Sequence, residues 1–301
     1  MKALVTGSAG FIGSHLMENL ISDGYEVVGI DNFSHACGKK NDTKFADIRY
    51  YHDIEKYVKE VDIVYHLAAQ IHVDKSIDHV EETLDVNIMG TYNILEACRK
   101  YNKPIVFAST SEVYGTINDK IDEGSPTYSQ SPYAVSKLAG DKLCGNYHNL
   151  YGLKVWRLRN FNTYGEWQNS GSYGAVIPIF TRQCLAGERI TIYGDGEQKR
   201  DFMNIRDCIK GYRLLTQIED LVGEPVNVGS GVSISINDLG RLICKLTGVG
   251  FDPIYLPPRA GEVRKLEADT TLISKYGWQP EVSFEEGLIY YISWFNENLN
   301  G

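Results

Sequence analysis

The chain has no long hydrophobic run. Nothing in its 301 residues approaches the roughly 18 consecutive apolar residues of a membrane-spanning helix. Met1-Lys2 is followed by only Ala3, Leu4 and Val5 before Thr6 and Gly7. That is too short for the apolar core of a secretory signal, so the chain is expected to open directly on a core strand. Paired cysteines are also missing. The six, at 37, 98, 144, 184, 208 and 244, come no closer than 24 residues, so there is no Cys-x-x-Cys motif. They read as scattered, reduced thiols of a cytoplasmic protein. Positive charge is in deficit: 30 Lys and Arg against 39 Asp and Glu give a formal net charge of −9. Nucleic-acid backbones and anionic membranes carry the same sign, so neither is expected as a partner. No internal repeat or low-complexity tract is present. His66, His72 and His79 are six and seven residues apart; metal ligands are usually more tightly spaced, and no metal is expected.

What remains is an ordinary globular composition, 43% hydrophobic and 23% charged. The length fits one large domain or two modest ones, and such a chain buries enough surface to need neither metal nor disulfide. Apolar runs at Lys2–Thr6, 26–30, 62–67 and 104–108 alternate with helical stretches at 11–23, 54–61 and 85–101. Ser131-Pro132 caps a long helix to about Tyr147, and 154–159 reads as a further strand. This alternation predicts an α/β fold, a doubly wound parallel sheet covered on both faces. From Asn160 the texture becomes rich in Gly, Ser, Tyr and Asn. Strands at 189–193 and 201–205 flank the turn Gly194-Asp195-Gly196. Capping boxes at 235–238 and 283–286 open two more helices. A smaller α/β region is therefore expected at 161–202 plus 231–301, beside a main domain at 1–160 plus 203–230. The substrate should lie between them, at the carboxyl ends of the strands.

Thr6-Gly7-Ser8-Ala9-Gly10-Phe11-Ile12-Gly13 joins the first strand to the first helix. Glycines there permit a tight turn, let backbone amides approach a pyrophosphate and allow close helix–strand packing, while the helix N-terminus favours an anion. Asp31, which ends the second strand, can accept hydrogen bonds from an adenosine ribose and repel a 2′-phosphate, favouring NAD over NADP. Lys39 and Lys40 nearby weaken that exclusion. Further on, Tyr133 and Lys137 fall at i and i+4 on one helix face. A free phenol has a pKa near 10. A neighbouring ammonium and a cationic nicotinamide should lower it enough for a general base. Thr110, at the end of the 104–108 strand, can bridge a substrate hydroxyl and that phenol.

These motifs resemble the extended short-chain dehydrogenase/reductase family, in particular its nucleotide-sugar epimerases and dehydratases. The resemblance spans the chain: TGSAGFIGSH at 6–15, HLAAQ at 66–70, STSEVYG at 109–115, SPYAVSK at 131–137, RNFNTYG at 159–165, YGDGEQKRDF at 193–202 and PPRAGEV at 257–263. It implies a Rossmann-like fold with NAD held by Gly7, Gly10, Phe11, Ile12 and Gly13 at the pyrophosphate, and by Asp31 and Asn32 at the ribose. Asp47 and Ile48 would meet the adenine. Leu67, Ala68 and Ala69 would run along the middle, with Asn87, Ser109, Tyr133 and Lys137 completing the cofactor set. Ser111, Asn162, Val176, Tyr193, Arg200 and Arg259 would hold a nucleotide sugar, the two arginines forking onto its diphosphate. A surface ion pair with Asp201 is the plainer reading of Arg200. Tyr133 would act as base, Lys137 as its partner and Thr110 as relay. Helices at 85–101 and 132–149 would pair across a homodimer axis.

The reaction is less specified. An epimerase oxidises the sugar at C4 and reduces the 4-keto-sugar from the other face. A 4,6-dehydratase also uses a Glu to remove the proton beside the ketone and an Asp to expel the 6-hydroxyl. The dehydratase pattern is Thr-Asp-Glu where this chain has Thr110-Ser111-Glu112. Thr-Ser-Glu also resembles UDP-glucuronate decarboxylases, but Arg200-Asp201-Phe202 has the epimerase and dehydratase form. The resemblance therefore favours a UDP-hexose 4-epimerase. Glu112 is either catalytic or a solvated loop carboxylate. A non-catalytic dinucleotide-binding protein is disfavoured because Tyr133 and Lys137 are both present.

Overall fold

The computed structural model describes residues 1–38, 42–171 and 174–298; Lys39 and Lys40 lie outside them. The strands are β1 (Lys2–Thr6), β2 (Glu26–Asp31), β3 (Thr43–Phe45), β4 (Ile63–His66), β5 (Ile105–Thr110), β6 (Val155–Asn160), β7 (Asn162–Tyr164), β8 (Thr191–Tyr193), β9 (Lys199–Asn204), β10 (Pro225–Val228), β11 (Ser233–Ser235) and β12 (Ile254–Leu256). The helices are α1 (Phe11–Ser22), α2 (Tyr51–Lys59), α3 (Val73–Asp78), α4 (Val80–Leu84), α5 (Gly90–Tyr101), α6 (Pro132–Tyr151), α7 (Val176–Leu185), α8 (Ile205–Leu215), α9 (Ile236–Thr247), α10 (Thr271–Ser274) and α11 (Phe284–Asn298).

Seven strands form one parallel sheet in the order β10-β6-β5-β4-β1-β2-β3. Successive side chains of each strand enter opposite layers. Ala3 and Val5 pack with Leu16 and Leu20 of α1 and with Tyr212 and Leu215 of α8. Leu4 between them packs with Ile54 of α2, Ile94 of α5 and Cys144 of α6. The expected doubly wound sheet is thus present, apolar on both faces because helices cover both. Strand order reverses between β1 and β4, which opens a crevice at their carboxyl ends.

Beyond β6 only β10 returns to this sheet. Gly194 and Gly196 both take positive φ, +69° and +75°, yet the strands they separate do not pair. β8 lies parallel to β12, and β9 joins β7 and β11. A separate core of Ile177 and Phe180 (α7), Leu239 and Ile243 (α9) and Leu288 and Tyr291 (α11) supports this region. Ser235 caps α9 by accepting from the Asp238 N–H at 3.0 Å. No helix among the described residues is long and apolar enough to cross a membrane.

Most element ends differ from the sequence reading by a few residues, as for β8 (Thr191 rather than 189) and β9 (Lys199–Asn204 rather than 201–205), and three helix boundaries have a local cause. α2 starts at Tyr51 rather than 54, because a turn from Asp47 to Tyr50 delivers the chain straight into it. α6 continues to Tyr151, where Gly152 in the left-handed region supplies the stop (φ +66°). The helix expected over 85–101 opens with a π turn, Asp85–Met89, before α5. The widened turn carries Asn87, whose amide is held by both backbone groups of Gln70 (2.8 and 2.9 Å) and donates to Ser136 Oγ (2.9 Å).

Candidate active site

The glycine-rich turn sits in the crevice between β1 and β4. Gly7 has φ +73°, and a Cβ there would lie 2.7 Å from the backbone nitrogen of Ala68. A Cβ on Gly13 would run into the Gly7 carbonyl. The backbone of 7–13 is therefore bare toward the crevice, the cradle a pyrophosphate needs. Asp31 closes the cradle: its carboxylate accepts from the N–H groups of Ala9 (3.1 Å) and Phe33 (2.7 Å). Burial raises its pKa, and those amides oppose the rise. The segment after β2 folds over the turn, with the Cys37 and Gly38 N–H groups donating to the Ala9 carbonyl at 3.1 and 2.9 Å. Asn32 donates to Asp47 (3.1 Å), whose other bonds come from Arg49, the shortest at 2.6 Å. Ile48 is buried against Gly90. The Ala68 N–H donates to Thr6 Oγ1 (3.1 Å), so the 67–69 backbone runs beside the turn.

Tyr133 and Lys137 occupy the inner face of α6, and both are buried. Ser131 caps the helix by accepting from the Ala134 N–H at 3.1 Å. The Tyr133 N–H donates to Ser76 Oγ (3.1 Å), fixing the first turn against α3. Lys137 Nζ stands 4.4 Å from the centre of the Phe107 ring. Burial lowers its pKa to about 8, against the raising influence of Cys144 and Asp141. The phenol departs from expectation. Burial pushes its pKa well above the usual value, outweighing a hydrogen bond with Thr110 that lowers it, and Glu112 adds to the rise. In the chain alone, desolvation decides the direction. A phenolate at neutral pH therefore requires a further positive group beside the ring. Ser109, expected to face the cofactor, spends its hydroxyl on Asp141 at 2.7 Å.

A cleft of about 840 Å³ connects Phe11, at the dinucleotide turn, to the smaller region. Asn162, Val176, Tyr193, Arg200 and Arg259 all line it, as does Glu112. Ser111 is buried directly before Glu112, and Thr110, Tyr133 and Lys137 stand behind that wall rather than on it. Arg200 makes no pair with Asp201. Adjacent strand residues face opposite sides, and Asp201 instead accepts from Ser230, Gly231 and Ala268 backbone N–H groups at 2.7 to 3.0 Å. Arg200 is half-buried in the cleft, and its partial desolvation lowers its pKa, with Glu112 and Glu262 acting against that. Glu112 is correspondingly raised by burial, opposed by Arg200. It is a half-buried residue of the cleft wall. Arg259 stacks 4.0 Å from the centre of the Tyr193 ring and meets Asp74 of α3 at 3.4 Å.

Sequence reasoning missed Asp74, Glu262, Gln168 and Gln198, which complete the cleft wall. Gln198 and Glu262 lie inside the motifs at 193–202 and 257–263, where the arginines drew the attention; Asp74 and Gln168 lie in none of the quoted motifs. His66, at the end of β4, lies between Thr6 Oγ1 (2.8 Å) and Thr91 Oγ1 (3.1 Å), and burial drops its pKa to about 3. No group of three His, Cys, Asp or Glu among the described residues could hold a metal.

Known proteins match this arrangement along the whole chain. The family model described as GDP-mannose 4,6 dehydratase matches residues 4–289. A putative UDP-glucose 4-epimerase of Methanocaldococcus jannaschii is 38% identical, covering 98% of each chain. A UDP-N-acetyl-alpha-D-glucosaminuronate decarboxylase of Bacillus cytotoxicus is 34% identical, covering 99% of each. The solved structure of DesIV, a dTDP-glucose 4,6-dehydratase of Streptomyces venezuelae crystallised with NAD, superposes with a TM-score of 0.93 at 31% identity. That match covers 100% of this chain and 98% of the other.

Proposed function

We propose that this chain, which belongs to the nucleotide-sugar epimerase and dehydratase family of extended short-chain dehydrogenases/reductases, is an NAD-dependent 4-epimerase of a nucleotide sugar, with a UDP-hexose as substrate. The observation that carries the reading is the buried Tyr133–Lys137–Thr110 group beside a cleft wall that has Ser111, not an aspartic acid, before Glu112. NAD fits the bare backbone at 7–13 and the carboxylate of Asp31. When bound there it would supply the hydride acceptor and donor for C4 of the sugar, and a positive charge in its oxidised form.

Tyr133 accepts the proton of the 4-hydroxyl and gives it back after the 4-keto-sugar has turned. Thr110 holds the phenol by hydrogen bonding, and Lys137 supplies positive charge below pH 8, where its ammonium persists. Arg200 and Arg259 hold the diphosphate, and Asn162, Val176 and Tyr193 line the sugar-nucleotide path. One observation favours a second reading. Glu112 lines the cleft half-buried, with its pKa raised by burial, which suits a base for carbon–hydrogen cleavage, so a lyase acting by loss of water or carbon dioxide is the alternative. Met89, Tyr92 and Val135 are 47%, 41% and 49% exposed on the outer faces of the π turn, α5 and α6, and we assign that face to a homodimer.

Purified protein incubated with UDP-glucose, UDP-N-acetylglucosamine and UDP-glucuronate decides between the readings. The expected product is an isomer of equal mass. A product lighter by water or carbon dioxide would move the assignment to the lyase.

A further inference from the structure

Lys137 is a buried ammonium without the partner its helix offers. Asp141 follows it by one turn on α6, the spacing of a helical ion pair. Here that pair does not form. Asp141 Oδ1 accepts from Arg157 Nη1 (2.9 Å) and Arg159 Nη2 (3.0 Å). Its Oδ2 accepts from Ser109 Oγ (2.7 Å) and Arg159 Nε (3.0 Å). A carboxylate has about four lone-pair sites, so none is left for the lysine. Asp141 reaches Lys137 only through space, raising its pKa together with Cys144 against the lowering by burial. Among the described residues, Lys137 Nζ makes no hydrogen bond and no ion pair. What it meets is the face of the Phe107 ring, 4.4 Å from the centroid.

That ring is held from several sides. Phe107 is fully buried in β5. Gly140 of α6 makes room for its edge, because a Cβ there would fall 2.8 Å from the ring's Cζ. His66, its register partner on β4, lies 5.8 Å away between ring centroids and tilted by 43°. An aromatic face carries partial negative charge, and a cation against it is stabilised more where water is excluded.

We propose that Phe107 is a positioning residue of the acid–base group: its ring face, seated by Gly140, holds the Lys137 ammonium by cation–π attraction in place of an ion pair. The proposal rests on the reading of Lys137 as the electrostatic partner of Tyr133. A carboxylate paired with the ammonium would cancel its charge. An aromatic ring steadies the ammonium and leaves its full charge for the phenol.

The titratable groups around the lysine come from four elements. Asp141 and Cys144 stand on its own helix, and Arg157 and Arg159 of β6 are bonded to Asp141. His66 of β4 is neutral, with its ring nitrogens bonded to Thr6 and Thr91. Tyr133 lies one turn earlier on α6, with Glu112 from the turn after β5 acting on it. Substitution of the Phe107 ring leaves all of these in place.

The test titrates Lys137 by NMR in full-length, NAD-loaded protein carrying lysine labelled with ¹³C at Cε. The Lys137 signal is identified by its loss in Lys137→Gln. Phe107 is replaced by 3-fluorophenylalanine, by 3,5-difluorophenylalanine and, separately, by leucine. Fluorine drains negative charge from the ring face while nearly keeping its shape. A less stabilised ammonium releases its proton at lower pH. The Lys137 midpoint is therefore expected to fall with each added fluorine, and to fall furthest, by about one pH unit, in Phe107→Leu. A space-filling role alone would leave the fluorinated midpoints where they are. Midpoints that stay fixed or rise in the fluorinated proteins would overturn the proposal. If Phe107→Leu does not fold, the fluorinated pair decides. The titration needs no sugar, so it tests the ring even if the 4-epimerase reading fails; absence of epimerase activity in the unaltered protein is the separate sign of that failure.

Discussion

At the dinucleotide turn the backbone closes on itself. Gly7 leaves no room for a side chain beside Ala68, Gly13 none beside Gly7, and Asp31 is already fixed by two amides. Across the crevice the opposite holds. The side-chain oxygens of Asn162, Gln168 and Gln198 are buried without a hydrogen-bond partner, and Arg200 is half-buried near the carboxylates of Glu112 and Glu262 without pairing with either. Buried polar groups are ordinarily satisfied, so the cleft is built around bonds that a ligand completes. One half of the site is a shape that exists before binding. The other is a set of open valences, and this difference says where substitutions act: the turn fails by steric exclusion, the cleft by lost or regained charge.

The comparison breaks most easily at the turn. Gly13→Ala forces a methyl into the Gly7 carbonyl. We expect a stability loss of about 1–3 kcal/mol and protein that purifies without NAD, read by thermal melting and by assay of the nucleotide released on denaturation. Full NAD retention would show that the turn is softer than its geometry. The cleft should respond in KM. Arg200→Gln removes a charge-assisted contact to the diphosphate and should raise KM about 10- to 100-fold with kcat nearly unchanged. An unchanged KM would move the diphosphate away from Arg200. The smallest effect has the opposite sign. Asp74 holds Arg259 at 3.4 Å, both partly exposed, and competes with an incoming diphosphate for it. Asp74→Asn should tighten UDP binding about two- to fivefold by titration calorimetry. Weaker binding would mean that Asp74 positions the arginine instead.

The same division explains what the sequence disclosed. The turn, Asp31 and the Tyr133–Lys137 pair were legible because each is a local pattern: glycine spacing after an apolar strand, a carboxylate at the next strand end, two residues a helical turn apart. The parallel sheet was legible because apolar runs alternate with helical spacing. The short strands β3, β7, β11 and β12 were not, since three or so residues carry no periodicity and depend on distant partners. The arginines under Asp141 lie 16 and 18 residues from it, and Asp74 is far from Arg259 in sequence, so only tertiary packing brings them together. The burial of Tyr133, which raises its pKa in the chain alone, was not legible either, because sequence shows the lysine a turn away but not the packing around the phenol.

The most direct measurement follows an isotope. UDP-glucose carrying deuterium at C4 is incubated with the NAD-bound protein, and the product is examined by mass spectrometry and NMR. If Tyr133 serves a reversible oxidation at C4, the deuterium is still on C4 of a product of unchanged mass and inverted configuration, and Tyr133→Phe slows its appearance by about 10²–10⁴-fold. Deuterium on another carbon of a product lighter by water, or a rate indifferent to Tyr133→Phe, would contradict the account.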